Sequence, residues 1–288
     1  MSVTGRPRYA PDWLALREPA DAAARAAGLL GPLRRLPGLD PARRDGVPVI
    51  RDLGCGTGSM GRWLAPRLAG PQHWVLHDHD AGLLDLAATR MPRTGDGGGR
   101  ITVTTRQGDI GLLTAAELAG TALVTASALL DLLTREELDG LAAACAEAGC
   151  PVLLALSVAG RVELTPGDPL DGAVEGAFND HQRRMEGGRR LLGPDAVAAA
   201  RQLFAARGMT VLTRSSPWRL GPGDSALTAE WLRGWVGAAR EQRPDLAPRT
   251  TAYLRRRLEA CEEGRLSVVV HHTDVLALPG GGAAGGGA

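Results

Sequence analysis

Apolar residues recur every three to four positions between Asp12 and Leu36, at Trp13, Leu16, Ala20, Ala24, Ala27 and Leu30, and this spacing predicts an amphipathic helix. From Val47 the pattern changes. Short apolar runs predict strands over 47–53, 73–77, 101–106, 123–127 and 152–157, and between them helical stretches begin near Ser59, Ala81, Ala115 and Arg135. Strands that alternate with helices through short links need parallel crossovers, so the expected fold is α/β, with a doubly wound, mostly parallel sheet.

Between 160 and 194 the rhythm lapses into a Gly-, Pro- and Arg-rich segment with one short helix expected around 174–185, which reads as an insertion after the fifth strand. Insertions at strand ends often carry specificity. The pattern then resumes with a helix over 195–207, a strand over 209–213, helices over 226–241 and 248–262, and a last strand over 266–271. That makes seven strands. The organisation expected is an N-terminal helical segment (1–45), a main domain (46–278) and a Gly/Ala-rich tail (279–288) read as disordered.

Composition removes several chemistries. All 33 Lys+Arg residues are arginine, so neither a Schiff-base lysine nor a phosphate-cradling loop ending in GK[ST] is available. The net charge of +1 gives no overall field for nucleic acid or an anionic membrane. Four cysteines lack the spacing of a disulfide framework or zinc site, so no metal is expected. His271-His272 has no carboxylate or cysteine ligand at metal spacing and reads as polarity at a strand end. No signal-like or membrane-spanning run occurs, and the chain is read as cytoplasmic.

The most informative segment is Val49-Ile50-Arg51-Asp52-Leu53-Gly54-Cys55-Gly56-Thr57-Gly58, an apolar strand that meets three alternating glycines and then a helix. Glycines there permit unusual dihedrals and close approach of a ligand to the backbone. A dinucleotide fingerprint reads GxGxxG, whereas this turn reads GCGTG and has an acid just before it. A pyrophosphate disfavours that carboxylate; a cationic cofactor favours it. The segment resembles the first motif of the class I S-adenosylmethionine-dependent methyltransferases.

Two further motifs strengthen the resemblance by their order. The second strand ends in His77-Asp78-His79-Asp80, where the family places an acid that accepts the ribose hydroxyls; register favours Asp78, leaving Asp80 to cap the next helix. The third strand leads into Gln107-Gly108-Asp109-Ile110, similar to the pair that receives adenine, with Asp109 facing the exocyclic amine and the Ile110 backbone a ring nitrogen. The resemblance therefore implies S-adenosyl-L-methionine bound along Asp52, Gly54, Cys55, Gly56, Gly58, Asp78, His79, Asp109, Ile110 and Ser127. It also implies an N-terminal helix folding over the cofactor as a lid.

The acceptor side is less marked. Methyl transfer needs a base only when the nucleophile carries a proton. Asp131, after the fourth strand, is a candidate that competes with a plain helix-start acid. His181, in the cluster Phe178-Asn179-Asp180-His181-Gln182, is the candidate general base, against a surface histidine. Trp13, Arg17, Asn179, Gln182, Trp218 and Arg219 are candidate substrate contacts. Arg17, Asp21 and Arg25 also fit an exposed ion-pair ladder, and Trp231 and Trp235 fit helix core. Cys150-Pro151 precedes a strand and reads as a buried thiol beside a strand-start proline, and no NPPY-type motif follows the fourth strand. The expected partner is a small-molecule methyl acceptor rather than nucleic acid or membrane. Methylation of RNA or protein, a cofactor-binding protein without turnover and a nicotinamide oxidoreductase are the rival readings.

Overall fold

Runs rich in Val, Ile and Leu become the central strands, largely buried, and the amphipathic stretches between them become the covering helices. The computed structural model describes residues 10–280. Helices α1 (Pro11–Ala24) and α2 (Leu30–Arg34) precede β1 (Val49–Leu53), α3 (Ser59–Leu64), β2 (Gln72–Asp78), α4 (Ala81–Arg90), β3 (Ile101–Gln107), α5 (Ala115–Leu118), β4 (Thr121–Ser127), α6 (Arg135–Glu147) and β5 (Val152–Thr165). There follow α7 (Asp171–Gln182), the two-residue strands β6 (Met185–Glu186) and β7 (Arg189–Arg190), α8 (Ala196–Ala206), β8 (Thr210–Ser215), β9 (Trp218–Leu220), α9 (Ser225–Gln242), α10 (Ala247–Glu262) and β10 (Ser267–Leu278).

The main sheet has the order β3-β2-β1-β4-β5-β10-β8, with β9 added alongside β10. The pairs from β3 to β5 are all parallel, and β10 runs antiparallel to β5, β8 and β9. The order reverses between β1 and β4, which opens a crevice beyond their carboxyl ends, where open α/β sheets bind ligands. One face of the sheet is covered around Leu53, Val124, Leu138 and Phe204, the other around Ile50, Trp74, Leu76 and Leu84. A third core joins α7, α9 and α10 to the far ends of β5 and β10 through Val174, Trp235, Tyr253 and Val268.

Four expectations need correction. The sheet has eight strands rather than seven, because Trp218–Leu220 pairs with Val268–Val270. The fifth strand continues past Ser157 to Thr165, so the insertion begins as an extension of the sheet. Gly160, at φ +71° and with Pro194 Cβ only 2.8 Å from where its own Cβ would lie, supplies an irregular register and not a chain break. The last strand runs on to Leu278, which puts His271-His272 in mid-strand. The N-terminal helix stops at Ala24, where Arg25 turns extended, and restarts at Leu30. The N-terminal nine residues and the end of the Gly/Ala tail from residue 281 lie outside the described residues.

Among the described residues no helix is long and apolar enough to cross a membrane, and no group of three or more His, Cys, Asp or Glu is placed to hold a metal. All four cysteines are free and buried.

Candidate active site

The turn after β1 is held by its own backbone and by the end of β2. Gly54 sits at φ +59°, and a Cβ there would lie 2.9 Å from Leu129 Cδ1. Cys55 N donates to His77 O at 2.9 Å and Gly56 N to Asp78 Oδ2 at 2.9 Å. The other Asp78 oxygen accepts from Asp80 N at 3.0 Å and lies 3.3 Å from His79 Nδ1. Asp78 is buried and faces the crevice. Asp80 instead caps α4, its Oδ1 accepting from Gly82 N and Leu83 N at 2.8 and 3.3 Å.

Asp52 is fully buried where β1 meets β4. Its Oδ1 accepts from Thr125 Oγ1 at 2.7 Å, while Oδ2 has no partner. Burial pushes the carboxyl up to about 7, against the pull of the Thr125 hydrogen bond and the Arg25 charge. Arg25 is also buried, with Nη2 donating to Ser59 Oγ and Ser127 Oγ at 3.0 and 3.1 Å. Its guanidinium lies 5.7 Å from the Trp63 ring centroid, and its Nε has no partner. Desolvation lowers its pKa. Asp52 thus brings an unsatisfied oxygen to the cavity wall, whereas Arg25 sits behind that wall.

One cavity of about 290 Å³ runs from this turn toward α7 and α9. Of the residues expected in the cofactor site, Asp52, Gly54, Cys55, Gly56, Asp78, His79, Ile110 and Ser127 line it. Gly58 does not; it packs against Ala87 and begins α3. Asp109 is also outside the lining, because its Oδ1 accepts from Gly111 N at 2.9 Å and starts the following turn. Gly108 and Ile110 take the lining positions on either side of it.

The acceptor candidates divide. Trp13, Arg17, Asp131, Gln182 and Trp218 line the cavity. His181 does not. On α7 it turns toward α9, with Nε2 3.1 Å from Glu241 Oε2, while Phe178 and Gln182, four residues apart, share the cavity face. Asn179 is spent on the Gly160 carbonyl at 2.7 Å. Arg219 is exposed because alternation along β9 sends it away from buried Trp218 and Leu220. The surface ladder is also corrected: Asp21 and Arg25 are 4% and 3% exposed, and Arg17 pairs with Asp21 at 3.0 Å inside the cavity wall.

Sequence reading missed Leu14, Arg189 and His272 as cavity residues, and also Arg25, which lies behind the wall and braces its Ser59 and Ser127. The signal for Arg25 was its four-residue step from Asp21, read on the wrong face. His272 is buried, its ring 5.4 Å from Trp218, and burial together with Arg17 lowers it to about 3, so it is neutral near pH 7. Trp231 is helix core, stacked on Trp235 at 5.0 Å, yet it also lines the cavity. Two non-glycine residues take left-handed backbone here: Ala128 at φ 51° after β4 and Leu156 at φ 55° within β5, both at the cavity. Such strain gathers at functional sites.

The sheet order, the switch-point crevice and the acid-flanked glycine turn define a Rossmann-like methyltransferase fold. Residues 50–150 match a family model described as a methyltransferase domain. That match spans 101 of the 288 residues and takes in the glycine turn after β1, Asp78 and Asp109. A comparison with the curated proteins finds no match.

Among solved structures, the chain is similar to the mycolic acid cyclopropane synthase CmaA1 complexed with SAH and CTAB, at 14% identity and a TM-score of 0.44 over 85% of this chain and 83% of that one. The cyclopropane synthase MmaA2 from Mycobacterium tuberculosis gives 12% identity and 0.44 over 86% and 83%. A phosphoethanolamine N-methyltransferase from Haemonchus contortus gives 13% identity and 0.44 over 96% of this chain and 59% of that one.

Proposed function

We propose that the chain is a class I S-adenosylmethionine-dependent methyltransferase that methylates an oxygen, nitrogen or carboxylate nucleophile of a small molecule. The observation that carries this reading is the continuous cavity that joins the Asp52–Asp78 turn to a chamber walled by α1, α7, β9 and α9. A chamber walled by four elements suits a small acceptor. Both arginines in its wall are already ion-paired, so the wall offers no free basic surface of the kind RNA requires.

Asp78 would accept the ribose hydroxyls with its spare lone pairs, and the Gly108–Ile110 backbone would border the adenine. Asp52 would face the ammonium of the methionine end, with Arg25 bracing Ser59 and Ser127 in the wall beside it. Bound S-adenosylmethionine supplies an activated methyl group on a sulfonium. What the chain adds is alignment, exclusion of water and a place for a proton. That place is Asp131, half-buried on the turn Leu130–Leu132, where desolvation raises its pKa and makes it a better proton acceptor.

These roles can be checked at two residues. Asp131→Asn lowers kcat for an O–H or N–H acceptor by about 10²-fold, with S-adenosylhomocysteine affinity unchanged by calorimetry. Undiminished turnover contradicts the assignment. The second check concerns pH. The Asp52 carboxyl, raised to about 7 from the usual 3.8, favours its neutral form in the fold. Its contribution to stability is therefore full below 3.8 and fades as pH rises through 7, whereas its attraction for a cofactor ammonium grows over the upper part of that range. The Kd for S-adenosylhomocysteine should fall about tenfold between about pH 6 and 8, as the ionised fraction rises. Asp52→Asn should flatten the profile; a profile identical to wild type contradicts the role.

A further inference from the structure

We propose that the half of the cavity beyond the glycine turn receives an uncharged, planar aromatic acceptor that carries an O–H or N–H donor, an inference that rests on the methyltransferase reading above. The sequence has only ten aromatic side chains (Trp 6, Tyr 2, Phe 2), and Trp13, Phe178, Trp218 and Trp231 all line this one cavity. They arrive from four different elements: α1, α7, β9 and α9. Two of the rings are preset. Trp231 lies on Trp235 with an interplanar angle of 18°, and Trp218 is anchored by Nε1 donating to Asp21 Oδ1 at 2.9 Å. Fixed ring faces favour a flat ligand and lose little freedom when it binds.

The charges of the wall argue against an ionic acceptor. Arg17 donates to Asp21 at 3.0 and 3.2 Å, and its guanidinium lies 5.1 Å from the Trp218 ring centroid. Arg189 donates to Glu137 at 2.9 and 2.6 Å. A carboxylate or phosphate therefore meets guanidinium groups already paired. An ammonium seeking the face of Trp218 meets the charge of Arg17. His272 adds no charge near neutral pH.

The wall does hold polar atoms that lack partners. Gln182 Oε1 and His272 Nδ1 are buried without a hydrogen bond, and both residues line the cavity. The amide oxygen can only accept, and the neutral imidazole accepts at whichever nitrogen lacks the proton. Buried acceptors without partners are rare in folded proteins, and a ligand O–H or N–H would satisfy one.

The test is calorimetric titration of the full chain, first with S-adenosylhomocysteine and then, on the saturated protein, with 2-naphthol, decahydro-2-naphthol, 6-hydroxy-2-naphthoate and naphthalene. 2-Naphthol should bind at least tenfold more tightly than its saturated and its carboxylated counterparts. Gln182→Met should weaken 2-naphthol at least tenfold and leave naphthalene and S-adenosylhomocysteine unchanged, which also shows that the variant is folded. Equal binding of decahydro-2-naphthol, tighter binding of the naphthoate, or a Gln182→Met loss shared by naphthalene overturns the proposal. Binding of S-adenosylhomocysteine with no binding of 2-naphthol overturns it too and leaves the cofactor reading intact. If S-adenosylhomocysteine itself does not bind, both fall.

Discussion

Asp274→Ala is expected to destabilise the protein by about 3–5 kcal/mol. This one carboxylate ties together three segments that are distant in sequence. Oδ1 accepts from Leu156 N at 2.7 Å and Ser216 Oγ at 2.5 Å, and Oδ2 accepts from Ala26 N at 2.8 Å. The residue is 2% exposed, so water cannot replace it. Alanine would strand the Leu156 amide, which already sits at a positive φ, along with the Ser216 hydroxyl and the Ala26 amide. Against a typical domain stability of about 5–15 kcal/mol, the loss is a large share. Thermal unfolding should show Tm lower by about 5–8 °C. Asp274→Asn, which keeps a carbonyl acceptor, should fall between the two. A Tm for the alanine variant within a degree or two of wild type would remove the claim that this residue joins β10, β5 and the N-terminal segment.

The second large effect is on the cofactor. Asp78→Ala should weaken S-adenosylhomocysteine by at least about a hundredfold, because hydrogen bonds to a charged group contribute about 1.5–3 kcal/mol each. The same substitution frees Gly56 N, so the glycine turn loses its brace from β2. Asp80→Ala serves as the comparison. It removes the cap of α4, which costs about 1 kcal/mol of stability, and should leave affinity within a few-fold. If the two variants weaken binding equally, the division of labour between the neighbouring acids is wrong.

The half of the protein before Ser157 was legible because its elements follow single periodicities. Apolar runs of β-branched residues became strands, and Asp80, Thr114 and Thr134 begin helices with side-chain caps. The glycine turn and Asp78 could be read because their order along the chain resembles a family pattern and register on the second strand favours Asp78 over Asp80. Beyond Ser157, Val162 and Leu164 still alternate with polar Arg161, Glu163 and Thr165, but Gly160 looks like a breaker unless β10 is known to pair across it. β9 is three residues long and exists only because β10 supplies its partner.

The acceptor wall was the least legible part, since facing is decided by tertiary packing. A helix over 174–185 fits the sequence, yet a small error in its rotation exchanges His181 for Gln182. Arg25 and His272 were hidden for a related reason. Charged and polar side chains are by default read as exposed, and only the fold shows that Asp21, Asp52 and Asp274 surround Arg25.

The central claim is that the Asp52–Asp78 crevice holds S-adenosylmethionine rather than a dinucleotide. It is tested most directly by titrating the full chain in parallel with S-adenosylhomocysteine and with NADH. Saturable binding of S-adenosylhomocysteine at one site per chain, and none of NADH, is expected. Binding of NADH without binding of S-adenosylhomocysteine would contradict it.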